Sequence, residues 1–267
     1  MPTAESFRAL LPGPVQVGKD NWTLTVHDLG VLRVPSGRLE ASDPFVNLGD
    51  CAVVDIPPGD YPVRVTVADV SDEQDGSHRR EAYLSVVLAD GEAVSVAAAS
   101  GADRVLDDDE YLAVPVDAGT VGFADAEAVK SAMPEGDWYE DVFDDGTDDS
   151  WFALMDSEDH LIAGCANIVM PAATAGENVV LAHSGWGDGY YPVLSTLDAA
   201  GQVLAIHIDL LVVGEVDAED DDDDDDEAAE AEVGEAAAGP AGAAAVPAGG
   251  GGEAPKRGLL SRLLGRE

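Results

Sequence analysis

The sequence predicts a mainly β fold, with α+β as the variant, built from antiparallel sheets packed as a sandwich or partly closed barrel with a few short helices. Three observations lead there. Apolar and polar residues alternate at period two through most of residues 1–214. Two strand pairs are joined by residues suited to tight turns. Helical signals are short and few. In YPVRVTVADV the alternation is plain: Tyr61, Val63, Val65 and Val67 share one face, and Arg64 and Thr66 share the other.

Taken in order, ESFRALL near the N-terminus predicts a short helix, and WTLTVHDLGVLRV predicts a long strand. YPVRVTVADV follows as a strand, then AYLSVVLAD and AVSVAAA, with Asp90-Gly91 between them as a tight turn that needs positive φ. YLAVPV is a further strand. AEAVKSAM predicts a helix capped by Asp125, whose carboxylate is placed to accept from the first free N–H groups. PEGDWYEDVFDDGTDDS, from Pro134 to Ser150, predicts an exposed acidic loop with a short helix at DWYEDVF. ANIVM, NVVLAH and YYPVLSTLD are strands, and Asp198-Ala199-Ala200-Gly201 predicts a type I turn into QVLAIHIDLLVV.

Charge divides the chain. Of 267 residues, 54 are acidic and 13 basic, a net of −41. Residues 215–267 hold 16 acidic and 4 basic side chains, which leaves 38 and 9 in residues 1–214, a net of −29. Three regions follow: a single acidic β-rich domain over 1–214, a disordered Asp-rich then Ala/Gly/Pro-rich linker over 215–255, and a basic amphipathic peptide over 256–267. Seven consecutive aspartates, Asp220 to Asp226, repel one another and cannot be buried. In the last segment Leu259, Leu260, Leu263 and Leu264 fall on one helical face beside Arg262, which predicts a partner-binding peptide, a weak membrane-surface contact or a fold-back onto the acidic domain. No apolar run approaches the ~20 residues of a spanning helix, and the N-terminus lacks a basic leader region. The expected setting is the cytoplasm.

The acidity excludes nucleic acid as a direct ligand, because phosphates are repelled. It fits adaptation to high salt, a basic protein partner, or simple solubility. Cys51 and Cys165 sit in apolar strand contexts and read as buried free thiols, though two cysteines leave a disulfide open. His27, His78, His160, His183 and His207 show no zinc-ligand spacing. His207, between Ile206 and Ile208, reads as a hydrogen-bonded strand histidine.

Several short motifs recur in order: Ser36-Gly37-Arg38-Leu39 with Asp43-Pro44, Pro58-Gly59-Asp60-Tyr61-Pro62-Val63, Arg80-Glu81-Ala82, and Gly122-Phe123-Ala124-Asp125. Ser184-Gly185-Trp186-Gly187-Asp188-Gly189-Tyr190-Tyr191-Pro192 closes the series, followed by Asp198, Gly201 and Asp209. On these, residues 15–213 resemble the bacterial family catalogued as domain of unknown function 4241. The pattern departs after Pro192, where VLSTLD stands in place of an aromatic and a glycine. That resemblance implies a fold but no chemistry.

The residues themselves suggest two functions. Gly185, Gly187 and Gly189, with Asp188, Tyr190 and Pro192, form a loop that leads into a strand, so a phosphate cradle at a helix N-terminus is excluded. The carboxylates Asp43, Asp125 and Asp188, with Asp209 as a further candidate, lie at turn signals, where aspartate commonly caps. Together they would suit a divalent cation or a metal-dependent enzyme. No catalytic constellation and no cofactor motif is present, so the preferred reading is a non-enzymatic protein-binding module, immunity-like or a scaffold, with the tethered C-terminal peptide as a second contact.

Overall fold

A computed structural model describes residues 2–102 and 110–214, all within one compact unit, Met1–Ala218. The predicted linker, 215–255, and the predicted peptide with Leu259, Leu260, Arg262, Leu263 and Leu264 lie outside the described residues.

The fold is mainly β with antiparallel sheets. In chain order the strands are β1 (Gly13–Val17), β2 (Asp20–Val34), β3 (Arg38–Ser42), β4 (Ala52–Asp55), β5 (Gly59–Asp69), β6 (Arg79–Val87), β7 (Ser95–Ala98), β8 (Ala113–Val116) and β9 (Thr120–Asp125). Then come α1 (Ala126–Ala132), a π-helical turn (Tyr139–Phe143), α2 (Trp151–Asp156), β10 (Cys165–Val169), β11 (Asn178–His183), β12 (Gly189–Leu197) and β13 (Val203–Asp209). The larger sheet runs β1-β2-β5-β6-β13-β12-β7, with β8 also on β12, and curls into a half-barrel. The smaller runs β10-β11-β9-β3-β4.

Burial assigns the layers. Val180 and Ala182 of β11, Val121 and Phe123 of β9, and Leu39 of β3 enter the main core with Val63, Val65, Leu84 and Ile206 of the larger sheet. Val179 and Leu181, one residue out of phase, join a second core with Val129, Phe143, Trp151 and Met155. The smaller sheet is therefore covered on both faces, by the larger sheet and by the helical segments, which is why NVVLAH is apolar without alternation. The sandwich carries a third, partial layer that period-two reasoning does not reveal.

The sheets are also tied by polar groups. β2 bulges between Asp28 and Val31, where Gly30 takes φ +85° and its N–H donates to Asp28 Oδ1 at 2.7 Å. Across the core, Asn167 Nδ2 of β10 donates to the Leu29 carbonyl at 2.8 Å, and Asn178 Nδ2 of β11 to the Val31 carbonyl at 2.8 Å. Asn178 Oδ1 accepts from the Arg33 N–H at 3.0 Å. The Leu29 carbonyl, at the bulge, and the Val31 and Arg33 backbone groups beyond it thus find partners on the other sheet.

The predicted helix AEAVKSAM forms as α1, with Asp125 Oδ1 accepting from the Glu127 and Ala128 N–H groups at 2.9 Å. The Asp198–Gly201 turn joins β12 to β13, with Gly201 at φ +80°. DWYEDVF winds as the π-helical turn.

Two expectations fail. ESFRALL makes only turns, because Leu10 takes φ 64° and donates its N–H to Thr66 Oγ1, while Phe7 packs edge-on against Tyr83 and His207. Tertiary contacts outweigh a propensity too short to nucleate a helix. The Asp90-Gly91 turn does not make a hairpin. β13 already occupies the free edge of β6, so the chain crosses beside Leu204 and β7 pairs with β12 instead.

Candidate functional site

The predicted aspartates occupy separate places in the fold. Asp43 is fully buried. Its Oδ2 accepts from the Asp117 and Ala118 N–H groups at 3.0 and 2.8 Å, and its Oδ1 from Thr120 Oγ1 at 2.5 Å and the Phe45 N–H at 3.3 Å. Asp125 caps α1 and accepts a third bond, from the Ser36 N–H at 2.8 Å. Asp188 is exposed on the glycine loop. Among the described residues, no three His, Cys, Asp or Glu side chains gather as a metal ion would need. Cys51 and Cys165 are free thiols, and burial, with Glu40 and Asp50 nearby, pushes the Cys51 thiol up to about 11. His207 is fully buried between Ser85 Oγ at 2.8 Å and Thr196 Oγ1 at 3.0 Å.

The glycine loop is a tyrosine corner. Tyr191 donates its hydroxyl to the Gly187 carbonyl at 2.7 Å, and Ser184 Oγ donates to the same oxygen at 2.6 Å. Gly187 takes φ +103° and Gly185 φ +72°. A Cβ at Gly185 would lie 2.7 Å from the Glu81 carbonyl oxygen, so only glycine lets the loop close on β6. Gly189 sits over the Tyr191 ring, and Pro192 closes the stretch of β12 that pairs with β8. Tyr190 and Trp186 point outward, 73% and 53% exposed, with the Arg80 guanidinium 5.2 Å from the Trp186 ring centre.

Two of the sequence motifs therefore meet, and a cleft of about 500 Å³ opens beside them. Its wall is Arg79, Arg80 and Glu81 of β6, with His27 of β2, Asp156 ending α2, Glu158 beyond it, and His183 ending β11. A register step aims the β6 residues there. Pairing with β5 passes from Thr66↔Tyr83 to Val67↔Glu81, so Ala82 is an extra residue on β6. At the floor lies Gly164, with φ +88°. A Cβ there would meet His183 Nδ1 at 2.9 Å and Glu81 Oε1 at 3.0 Å, so the absent side chain is what admits both groups.

The electrostatics of the cleft are unusual. Burial pushes the Glu81 carboxyl up to about 7, against the pull of its own N–H and of Arg80. Burial lowers His183, and Arg80 adds to that while Asp156 opposes it. His27 is lowered by burial and by Arg79. Both imidazoles are thus held toward neutrality, beside an acid that titrates near neutral pH. Sequence reasoning named Arg80, Glu81 and the residues after His183 as parts of motifs but assigned the cleft no role. The available signal was a buried-type strand broken by a charged pair at its start.

The family model described as a protein of unknown function, DUF4241, matches residues 32–208. That span takes in β3 to β12 and nearly all of β13, the glycine loop and both sides of the cleft. No curated protein and no solved structure matches the chain.

Proposed function

The chain belongs to the DUF4241 family, and from that premise we propose that it is a non-enzymatic binding module whose acidic face engages a basic protein partner. The observation that carries this reading is the folded segment between α1 and α2. Glu135, Asp137, Glu140, Asp141, Asp144, Asp145, Asp148 and Asp149 are all exposed, and no lysine or arginine lies among them. The segment is pinned from beneath. Trp138 Nε1 donates to the Pro134 carbonyl at 2.7 Å, and Phe143 packs 5.1 Å from both Phe45 and Trp151. A carboxylate array held by a core costs less ordering on association than the same charges on a free loop. Tyr139, 55% exposed at its centre, is the residue type that supplies contact energy in interfaces. The −29 charge of residues 1–214 would speed encounter with a basic protein and repel nucleic acid. Two free thiols accord with a cytoplasmic setting, which is part of the same proposal. The alternative, a divalent cation on Asp43, Asp125 and Asp188, has less support, because the first two carboxylates already accept from the Thr120 hydroxyl and from backbone N–H groups.

The test compares the full chain with a variant carrying Asp144→Asn, Asp145→Asn, Asp148→Asn, Asp149→Asn and Tyr139→Ala. Both are used to capture proteins from native lysate, and any basic protein retained by the wild type alone is purified and titrated. We expect 1:1 binding that weakens at least tenfold in the variant and falls steeply between low and high salt. Identical sets retained by both chains, or none above background, would overturn the reading.

A further inference from the structure

We propose that the cleft between β6 and β11 is a binding site for a zwitterionic small molecule of the free amino acid class, its carboxylate on Arg79 and Arg80 and its ammonium toward Asp156 and Glu158. Cations are scarce in this domain. Residues 1–214 hold 38 acidic and 9 basic side chains, so an arginine there is surrounded by possible partners. Yet neither Arg79 nor Arg80 makes an ion pair among the described residues, whose ion pairs fall on Arg38 and Lys130. Arg80 Nη1 has only a long 3.4 Å bond, to the Arg79 carbonyl, and its Nε is buried without an acceptor. The Trp186 ring, its centre 5.2 Å from the guanidinium carbon, attracts the charge without using its N–H groups. Two adjacent forks with unused donors are the arrangement that takes a planar carboxylate.

The same cleft also carries acidic groups. Asp156 and Glu158 are exposed at the mouth of the same cleft. A simple anion would have to approach a domain of net −29 and then face those two carboxylates. A zwitterion carries no net charge to repel and places an ammonium where they lie. The cleft, about 500 Å³, has room for a side chain beyond the two charged groups. Leu161, Ile162 and Val67 give it an apolar lining. Glu81, buried, and His183, exposed at the end of β11, also line the cleft as hydrogen-bonding groups for the ligand's polar atoms. This site is separate from the acidic face, so its fate does not depend on the protein-binding reading.

The experiment is a thermal-shift screen of the full chain against the twenty common amino acids one at a time, followed by calorimetry. Inorganic phosphate, the amino acid amides and the N-acetyl amino acids serve as comparators. We expect at least one amino acid to bind saturably below about 1 mM, with its amide and its N-acetyl form at least tenfold weaker. Arg79→Gln, at an exposed position, should weaken binding at least tenfold without moving the unfolding temperature of the free protein. No saturable shift with any amino acid up to about 10 mM would overturn the proposal. So would equal binding of the amide, or unchanged affinity in the Arg79→Gln variant. Tighter binding of phosphate than of every amino acid would replace the zwitterion with a plain anion and overturn it as well.

Discussion

Tyr61 and Tyr191 do the same job at the start of two strands. Each begins a strand with proline at the next position, each has glycine two residues earlier, and each hydroxyl donates to a carbonyl four residues upstream, Pro57 for one and Gly187 for the other. The Gly-x-Tyr-Pro pattern is thus a fold device, and it explains most of the glycine loop without a ligand. The loop read from sequence as Gly185, Gly187, Asp188, Gly189, Tyr190 and Pro192 omits Tyr191, because a tyrosine that turns back on its own chain looks like any alternating strand residue. The aspartates were legible in the same partial way: Asp125 as a cap was readable from its position before AEAVKSAM, whereas the partners of Asp43 lie more than seventy residues away, at Asp117, Ala118 and Thr120. These differences set magnitudes. Tyr191→Phe removes one bond, and Gly187 keeps its bond from Ser184, so the loss should be about 1 kcal/mol. Asp43→Ala leaves three part-buried N–H groups and a buried hydroxyl without that acceptor and should cost roughly 3 kcal/mol. Urea unfolding of the two variants checks the ratio; equal losses would mean that the Asp43 network is satisfied by water.

At the scale of elements, strand identity was largely readable and strand neighbours were not. Period two picks out β5, β6, β12 and β13, but pairing depends on which edge is free, as β7 shows by crossing to β12. β3 and β9 escaped notice because RLEAS and TVGFAD are short and lack alternation, being covered on both faces. The bulge in β2 was hidden for a further reason: DLG looks like a turn, and only the asparagines of β10 and β11 make it tolerable inside a long strand. Asn178 satisfies the Val31 carbonyl and the Arg33 N–H from the opposite sheet. Asn178→Ala should therefore cost about 2–3 kcal/mol, more than an ordinary surface asparagine. Amide exchange should accelerate at Arg33 before the core strands β5 and β6 are affected. If exchange rose uniformly instead, the asparagine would be part of global stability and not a local stitch between the sheets.

For the whole molecule, charge and burial pull stability in opposite directions with pH. Burial raises Glu81 from its ordinary 4.5 to about 7, and raises Asp209 likewise to about 7 against the pull of the Leu211 N–H. For such a group the folded state prefers the protonated form. Its stabilising share is complete below the unfolded pKa, is lost as pH rises through about 7, and stays flat above that. His207 acts the other way. Burial lowers it to about 3, so its share is present above 6.5 and is lost as pH falls toward 3. The groups facing Glu81 are Arg79 and Arg80 on its own strand, His183 on β11, Cys165 on β10, His27 on β2, Asp156 ending α2 and Glu158 beyond it. Of these only His183 and His27 have ordinary values near the window, and burial lowers both, which favours their neutral forms. The difference in unfolding free energy between wild type and Glu81→Gln isolates the carboxyl from His207, Asp209 and the diffuse repulsion of so acidic a chain. That difference should favour the wild type most near pH 4.5, shrink through pH 7 and level off beyond it, at fixed ionic strength. A difference independent of pH would mean that the Glu81 carboxyl is solvated in the cleft, and that the floor between β6 and β11 is open to water.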